Sequence, residues 1–388
     1  MKFLQKPLLK FLKLIITTKL FKETAVQEFK ISEKFEGGCI TVDKIEGNDV
    51  YLKMNDRDGQ PWFYWAFKIE GAQGLKLNFN VERPVIGRFG HQATVGYFGP
   101  AVSHDLKSWK WLYPESPVMD MNELYHFSYE FKEDEDCVYF AHHYLYGVEH
   151  FDFDKTHGIE IKELCKDLDG TSCPYITIGQ GDKAIMLTAR HHACESSASY
   201  LLHGFVKELI ENPIDGYKVI CVPFVDVRGV VKGDPGKGRL PHDHNRDYGF
   251  KKEPIYPTVK AIKALVKQNL VKYSFDFHDP MSAGSDKVYL VNHGGRWKEE
   301  DLRLSELYSL QEIEGAFKNY NGSMVYIGIT EGMFSTYMGE DKRVRYATTI
   351  EAPYYGTPEN MMTDQSYIKS GVAFAKAVKQ LISETENG

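Results

Sequence analysis

Arg190, His191, His192, Cys194 and Glu195 crowd the junction between an apolar run, residues 184–188, and a helical pattern that begins near Glu195. His192 and Glu195 stand three residues apart, which lets an imidazole and a carboxylate point at one spot from a first helical turn. Catalytic zinc takes three protein ligands, often two His and one Glu, and keeps a fourth position for water. Paired histidines in a loop also occur as ordinary surface residues, so the pair alone leaves both readings open. A third ligand is offered by His278 in Asp276-Phe277-His278-Asp279, at the end of the strand-like Tyr273-Ser274-Phe275. The alternative for that residue is a hydrogen-bonded core histidine. Asp276 or Asp279 is placed to orient an imidazole from behind a metal.

Two more pieces follow. Asn245 and Arg246 lie side by side in the stretch PHDHNR, residues 241–246. A guanidinium is a planar fork that matches both oxygens of a carboxylate, and an amide adds a donor; a surface turn is the plainer reading. Glu351 ends an apolar strand pattern, Tyr346-Ala347-Thr348-Thr349-Ile350. A carboxylate beside zinc takes a proton from water and passes it to a leaving amine; an exposed strand end is its alternative.

These side chains need a frame. After residue 151 the sequence alternates strand patterns (184–188, 217–224, 273–277, 287–291, 346–350) with helical ones (196–211, 258–270, 301–318, 368–384). The alternation predicts an α/β fold with a mixed, largely parallel sheet covered by helices on both faces. Sites in such sheets lie at the carboxyl ends of strands, which is where the candidate residues fall. From about residue 29 to 147 the pattern is β throughout, with turn signals such as Asp56-Arg57-Asp58-Gly59, and predicts an antiparallel β-sandwich. Trp62-Phe63-Tyr64-Trp65-Ala66-Phe67 reads as strand core rather than a ligand box. The expected division is a basic apolar N-terminal segment (1–28), a sandwich domain (29–150) and a catalytic domain (151–388). Gly229–Gly238 is glycine-rich but has no GKS/T ending, so no phosphate loop is expected.

A hydrophobic fraction of 43% with 26% charged residues is ordinary globular composition. The net charge of −7, with no basic stripe, excludes nucleic acid as a partner. Six scattered cysteines without a CxxC pair fit reduced thiols rather than a disulfide frame. Lysines 6, 10, 13 and 19 interrupt the apolar N-terminal stretch; an amphipathic surface helix is expected there, a membrane span is not, and a cytoplasmic location is favoured with no firm membrane partner.

The ordered set His-x-x-Glu, Asn-Arg, Asp-x-His and Thr-x-Glu resembles the zinc metallocarboxypeptidases, and more closely their cytosolic carboxypeptidase subfamily, which removes C-terminal or side-chain glutamates from proteins. The resemblance extends from about residue 29 to 384, because Trp62–Phe67 and Val138-Tyr139-Phe140-Ala141-His142 are similar to strands of that subfamily's sandwich domain. It implies one zinc ion held by His192, Glu195 and His278, a substrate carboxylate held by Asn245 and Arg246, and Glu351 as general base and then acid. The departures are specific. Ala193 and Cys194 stand where the family has Pro-Gly. Gly236 falls where a carbonyl-polarising arginine is expected, leaving Lys237 or Arg239 as substitutes. Tyr326 and Tyr337 are both placeable as the substrate-capping tyrosine. The expected activity is hydrolysis of a C-terminal, potentially glutamyl, peptide or isopeptide bond of a peptide or protein. The alternatives are an amidohydrolase acting on N-acyl amino acids or cell-wall peptides, and a non-catalytic zinc-containing peptide-binding protein.

Overall fold

The computed structural model describes residues 29–387 apart from 88–89, 119, 121–122, 250–252, 281–286, 318–324 and 329. The basic segment 1–28 lies outside the described residues. An eight-stranded sheet carries the candidate residues, in the order Lys162–Lys166, Ser172–Gly179, Tyr217–Val222, Lys183–Ala189, Leu270–His278, Tyr346–Glu351, Tyr289–His293, Val325–Ile327. Its centre, from Tyr217–Val222 through Tyr346–Glu351, is parallel, and antiparallel pairs flank it. Residues of Lys183–Ala189 and Leu270–His278 are buried almost without interruption. Strands buried on both faces read as continuous apolar runs, which is the pattern seen in the sequence.

Helices supply the cover. Ser196–Glu211 packs along Asp364–Asn387, which also meets Lys298–Ser309, while Pro257–Gln268 and Phe334–Glu340 lie against the central strands. Ser196–Glu211 has the bounds its apolar spacing predicts. The helix expected over 258–270 begins at Pro257, where a fixed φ suits a first turn, and ends at Gln268, so Leu270 opens a strand. The helix expected over 301–318 runs instead from Lys298 to Ser309. Phe334–Glu340 and Val227–Lys232 are short helices outside the expected set.

Residues 30–141 form a five-stranded and a four-stranded sheet. Trp65, Phe67, Phe79, Phe127 and Phe140 pack between them in a dense aromatic core. The expectation of purely antiparallel pairing needs one correction: Asp49–Lys53 runs parallel to Lys76–Val81. The aromatic run also divides, since the strand begins only at Ala66 and Trp62, Phe63 and Tyr64 join the core of the larger sheet. Trp111 Nε1 donates to the carbonyl of Met362 at 2.7 Å, tying the first part of the chain to the last.

Candidate active site

Parallel register brings the chemistry together. Thr188 pairs with Asp276, and His278 with Glu351, so three adjacent strands end at one level. Beyond Ala189 the chain turns sharply at Arg190, a non-glycine residue at φ +60°, the kind of strain that persists only where surroundings over-determine it. The buried Arg190 guanidinium supplies that constraint, donating to the carbonyls of Ala193 and Tyr146 and to Ser199 Oγ. Asp279 accepts from the amides of Ser197 and Ala198 at 3.0 and 2.7 Å, fixing the start of the following helix and with it Glu195.

His192, Glu195 and His278 each offer a donor atom, all within 4.8 Å of one another and all buried. Glu195 Oε1 is 3.0 Å from His192 Nδ1 and its Oε2 is 2.7 Å from His278 Nδ1. The other nitrogen of His278 faces Asp276 Oδ2 at 2.8 Å. Asp276 thus fixes the ring from behind, as carboxylates behind metal-bound histidines do, and its second oxygen holds His191 Nδ1 at 2.9 Å. Burial opposes the charge on Glu195, but His192, Lys237 and His278 hold its carboxyl well below the usual range. Burial lowers His192 to about 4, which leaves it neutral. The same burial opposes protonation of His278, yet Asp276 and Glu195 raise it well above the ordinary value. Two imidazole nitrogens and a carboxylate facing one another suit zinc, which would take the place of protons between them and satisfy all three donors.

A cavity of about 270 Å³ opens over this group, lined among others by Trp62, Lys237, Asn245, Arg246 and Glu351. A larger cavity of about 600 Å³ beside Tyr146, His150 and Tyr200 contains no such donor set among the described residues, so the chemistry of the lining rather than its size singles out the candidate site. Glu351 Oε2 is buried without a hydrogen-bond partner, and burial above all raises its carboxyl to about 8. Asn245 accepts from the Phe334 amide through Oδ1 at 2.9 Å, which leaves its NH₂ for the cavity. Arg246 NH1 donates to the Asn245 carbonyl at 2.9 Å.

The two substitutes for the expected arginine separate. Lys237 Nζ contacts Glu195 Oε1 and lies 5.4 Å from the Trp62 ring. Arg239 is held away by Asp58 at 2.6 Å and Asp226 at 2.7 Å and does not line the cavity. Gly236 has φ +75°, and a Cβ there would lie 2.5 Å from the Ala193 amide nitrogen, so no side chain fits. Tyr337 packs 5.8 Å from Tyr248 and under Lys263, outside the cavity lining. Tyr326 pairs with Asn292 in the sheet, but its side chain lies outside the described residues. Trp62 corrects the strand-core reading of its segment: it is part of the cavity wall. Periodicity carries no signal for that, because the contact spans the distance from residue 62 to 237.

No protein-family model matches the chain. Cytosolic carboxypeptidase 2 of Xenopus tropicalis is 26% identical over 292 residues, covering 64% of this chain and 29% of that protein. Human cytosolic carboxypeptidase 4 is 25% identical over 301 residues, covering 63% and 27%. The chain resembles the zinc metallocarboxypeptidases. It spans less than a third of the length of those two relatives. By fold it is similar to a metallo-carboxypeptidase of Burkholderia cenocepacia (TM-score 0.73, 17% identity, 92% of this chain and 99% of that one). A metallo-carboxypeptidase of Pseudomonas aeruginosa gives 0.70, 18%, 92% and 99%. The likeness to these two structures shows the fold.

Proposed function

We propose that the chain is a zinc-dependent carboxypeptidase. The observation that carries the reading is the meeting of His192, Glu195, His278 and the unpartnered Glu351 under one small cavity whose wall holds Asn245 and Arg246. His192, Glu195 and His278 are the assigned zinc ligands. Zinc, when bound, supplies a Lewis acid that polarises a carbonyl and lowers the pKa of water from ~15.7 to about 7. Asn245 and Arg246 grip the free carboxylate of the last residue through amide and guanidinium donors, which sets the register of the scissile bond. Water adds to the carbonyl carbon while Glu351 accepts its proton; a dication beside it would offset the burial that raises the carboxyl and keep it ionised for this role. The C–N bond then breaks, and Glu351 returns that proton to the departing amine. Lys237 takes the place of the missing arginine as the cation facing the developing oxyanion.

A C-terminal glutamyl residue is the first substrate to try, given the likeness to cytosolic carboxypeptidases, and a cytoplasmic location is proposed on the same ground. Among the described residues no helix is long and apolar enough to cross a membrane. The test is turnover of a peptide library varied at the last residue, scored by release of the free amino acid. Release from unblocked peptides and none from C-terminal amides is expected. Hydrolysis of N-acyl amino acids alone would move the reading to an amidohydrolase.

A further inference from the structure

A second group of donors lies apart from the first. Asp167, Asp226 and His244 offer three atoms within 4.8 Å of one another, all buried. Asp226 follows the central strand Tyr217–Val222, Asp167 follows the edge strand Lys162–Lys166, and His244 sits in the turn that presents Asn245 and Arg246. His244 is 0% exposed, yet neither of its ring nitrogens has a hydrogen-bond partner. Its Nδ1 is directed at the group, 3.8 Å from Asp226 Oδ2. The Oδ2 of Asp167 is likewise buried and without a partner. Two orphaned polar atoms of this group, His244 Nδ1 and Asp167 Oδ2, are costly, at roughly 1–3 kcal/mol each, unless something fills the space between them. His191, by contrast, has both ring nitrogens partnered, by Asp276 Oδ1 and the Tyr248 hydroxyl.

From this geometry we infer a second metal site, in which Asp167, Asp226 and His244 bind a divalent transition ion such as Zn²⁺. Two carboxylates neutralise the dication and an imidazole selects for Zn²⁺ over Mg²⁺ or Ca²⁺. Bonds of ~2.0–2.2 Å in a tetrahedral site place donors ~3.4 Å apart, so the side chains need only close slightly. The imidazole plane is already set by stacking on Tyr256, with centroids 3.7 Å apart. Burial holds His244 at about 4 and therefore neutral, the form a metal requires. Arg239, which donates to Asp226 Oδ2, does not close the site: Asp58 neutralises it, Asp234 is itself paired with Arg57 at 3.2 Å, and each carboxylate oxygen has a second lone pair. An ion here would fix the turn that carries Asn245 and Arg246.

Metal content of the full chain, purified with zinc and desalted, decides the matter without reference to activity. About two zinc ions per chain are expected for the parent, about one for Glu195→Ala, about one for His244→Leu, and none for the double variant. In Glu195→Ala loaded with Co²⁺ alone, the visible bands of a histidine-ligated ion should appear and vanish on adding His244→Leu. Asp167→Asn, which keeps the side-chain volume, gives the same comparison if His244→Leu does not fold. A parent holding about one ion that Glu195→Ala removes, with no change in His244→Leu or Asp167→Asn, overturns the second site. Loss of an ion in His244→Leu but not in Glu195→Ala supports it and counts instead against the first centre.

Discussion

At the scale of single residues, Glu351 and Lys237 carry the most specific expectations. Glu351→Gln removes the proton carrier while keeping shape, so kcat should fall by about 10²–10⁴ with zinc content unchanged, read by steady-state kinetics beside metal analysis. Lys237→Met should lower kcat by about 10²–10³ if its ammonium faces the oxyanion. A rise in KM alone would place it in ground-state binding instead. The candidate ligands, base and Asn-Arg pair stand out in the sequence because each is a short motif at a strand or turn boundary, and the structure brings them around one cavity. Neither the choice of Lys237 over Arg239 nor the use of Trp62 was legible. Both depend on which distant carboxylates the chain brings near: Asp58 and Asp226 capture Arg239 and leave Lys237 to Glu195.

At the scale of elements, the loop over residues 233–239 is shaped by Gly236. Its positive φ and the nearness of the Ala193 amide predict that Gly236→Ala destabilises the protein by more than ~1 kcal/mol, seen as a lower urea midpoint with an unchanged slope. Helix Lys298–Ser309 is tied to the sheet by Asp301, which accepts from Tyr346 Oη at 2.7 Å and Asn292 Nδ2 at 2.9 Å. Burial raises that carboxyl to about 6. The folded state therefore holds a proton that the unfolded chain releases above about 4, and this group's contribution weakens as pH rises from about 4 through 6. Asp301→Asn should flatten that slope in denaturant titrations at stepped pH. Five strands of the large sheet were readable from their periods, but Lys162–Lys166, Ser172–Gly179 and Val325–Ile327 were not, and Val227–Lys232, with only Val227 and Val230 among its buried apolar residues, is too short to show a period.

At the scale of the whole molecule, the sandwich and the large sheet share their packing. Tyr355 Oη meets His142 Nε2, Trp111 reaches Met362, and Asp58 accepts from both the Gly236 amide and Arg239. Breaking a buried ion pair from one side costs about 3–5 kcal/mol, so Asp58→Ala should lower the unfolding midpoint of the whole chain in one cooperative transition. Two separate calorimetric peaks would show that the parts fold independently. The β-rich character of residues 30–141 was legible from alternation and turn signals. The parallel pairing of Asp49–Lys53 was not, since register between strands apart in sequence leaves no local mark. The central claim is a zinc-dependent hydrolytic site, and it is tested most directly by zinc content and release of C-terminal residues in the parent, in Glu195→Ala and in Glu351→Gln. The account predicts turnover in the parent alone, with Glu195→Ala losing an ion and Glu351→Gln keeping it. Undiminished turnover in Glu351→Gln, or zinc content unchanged in Glu195→Ala, would contradict it.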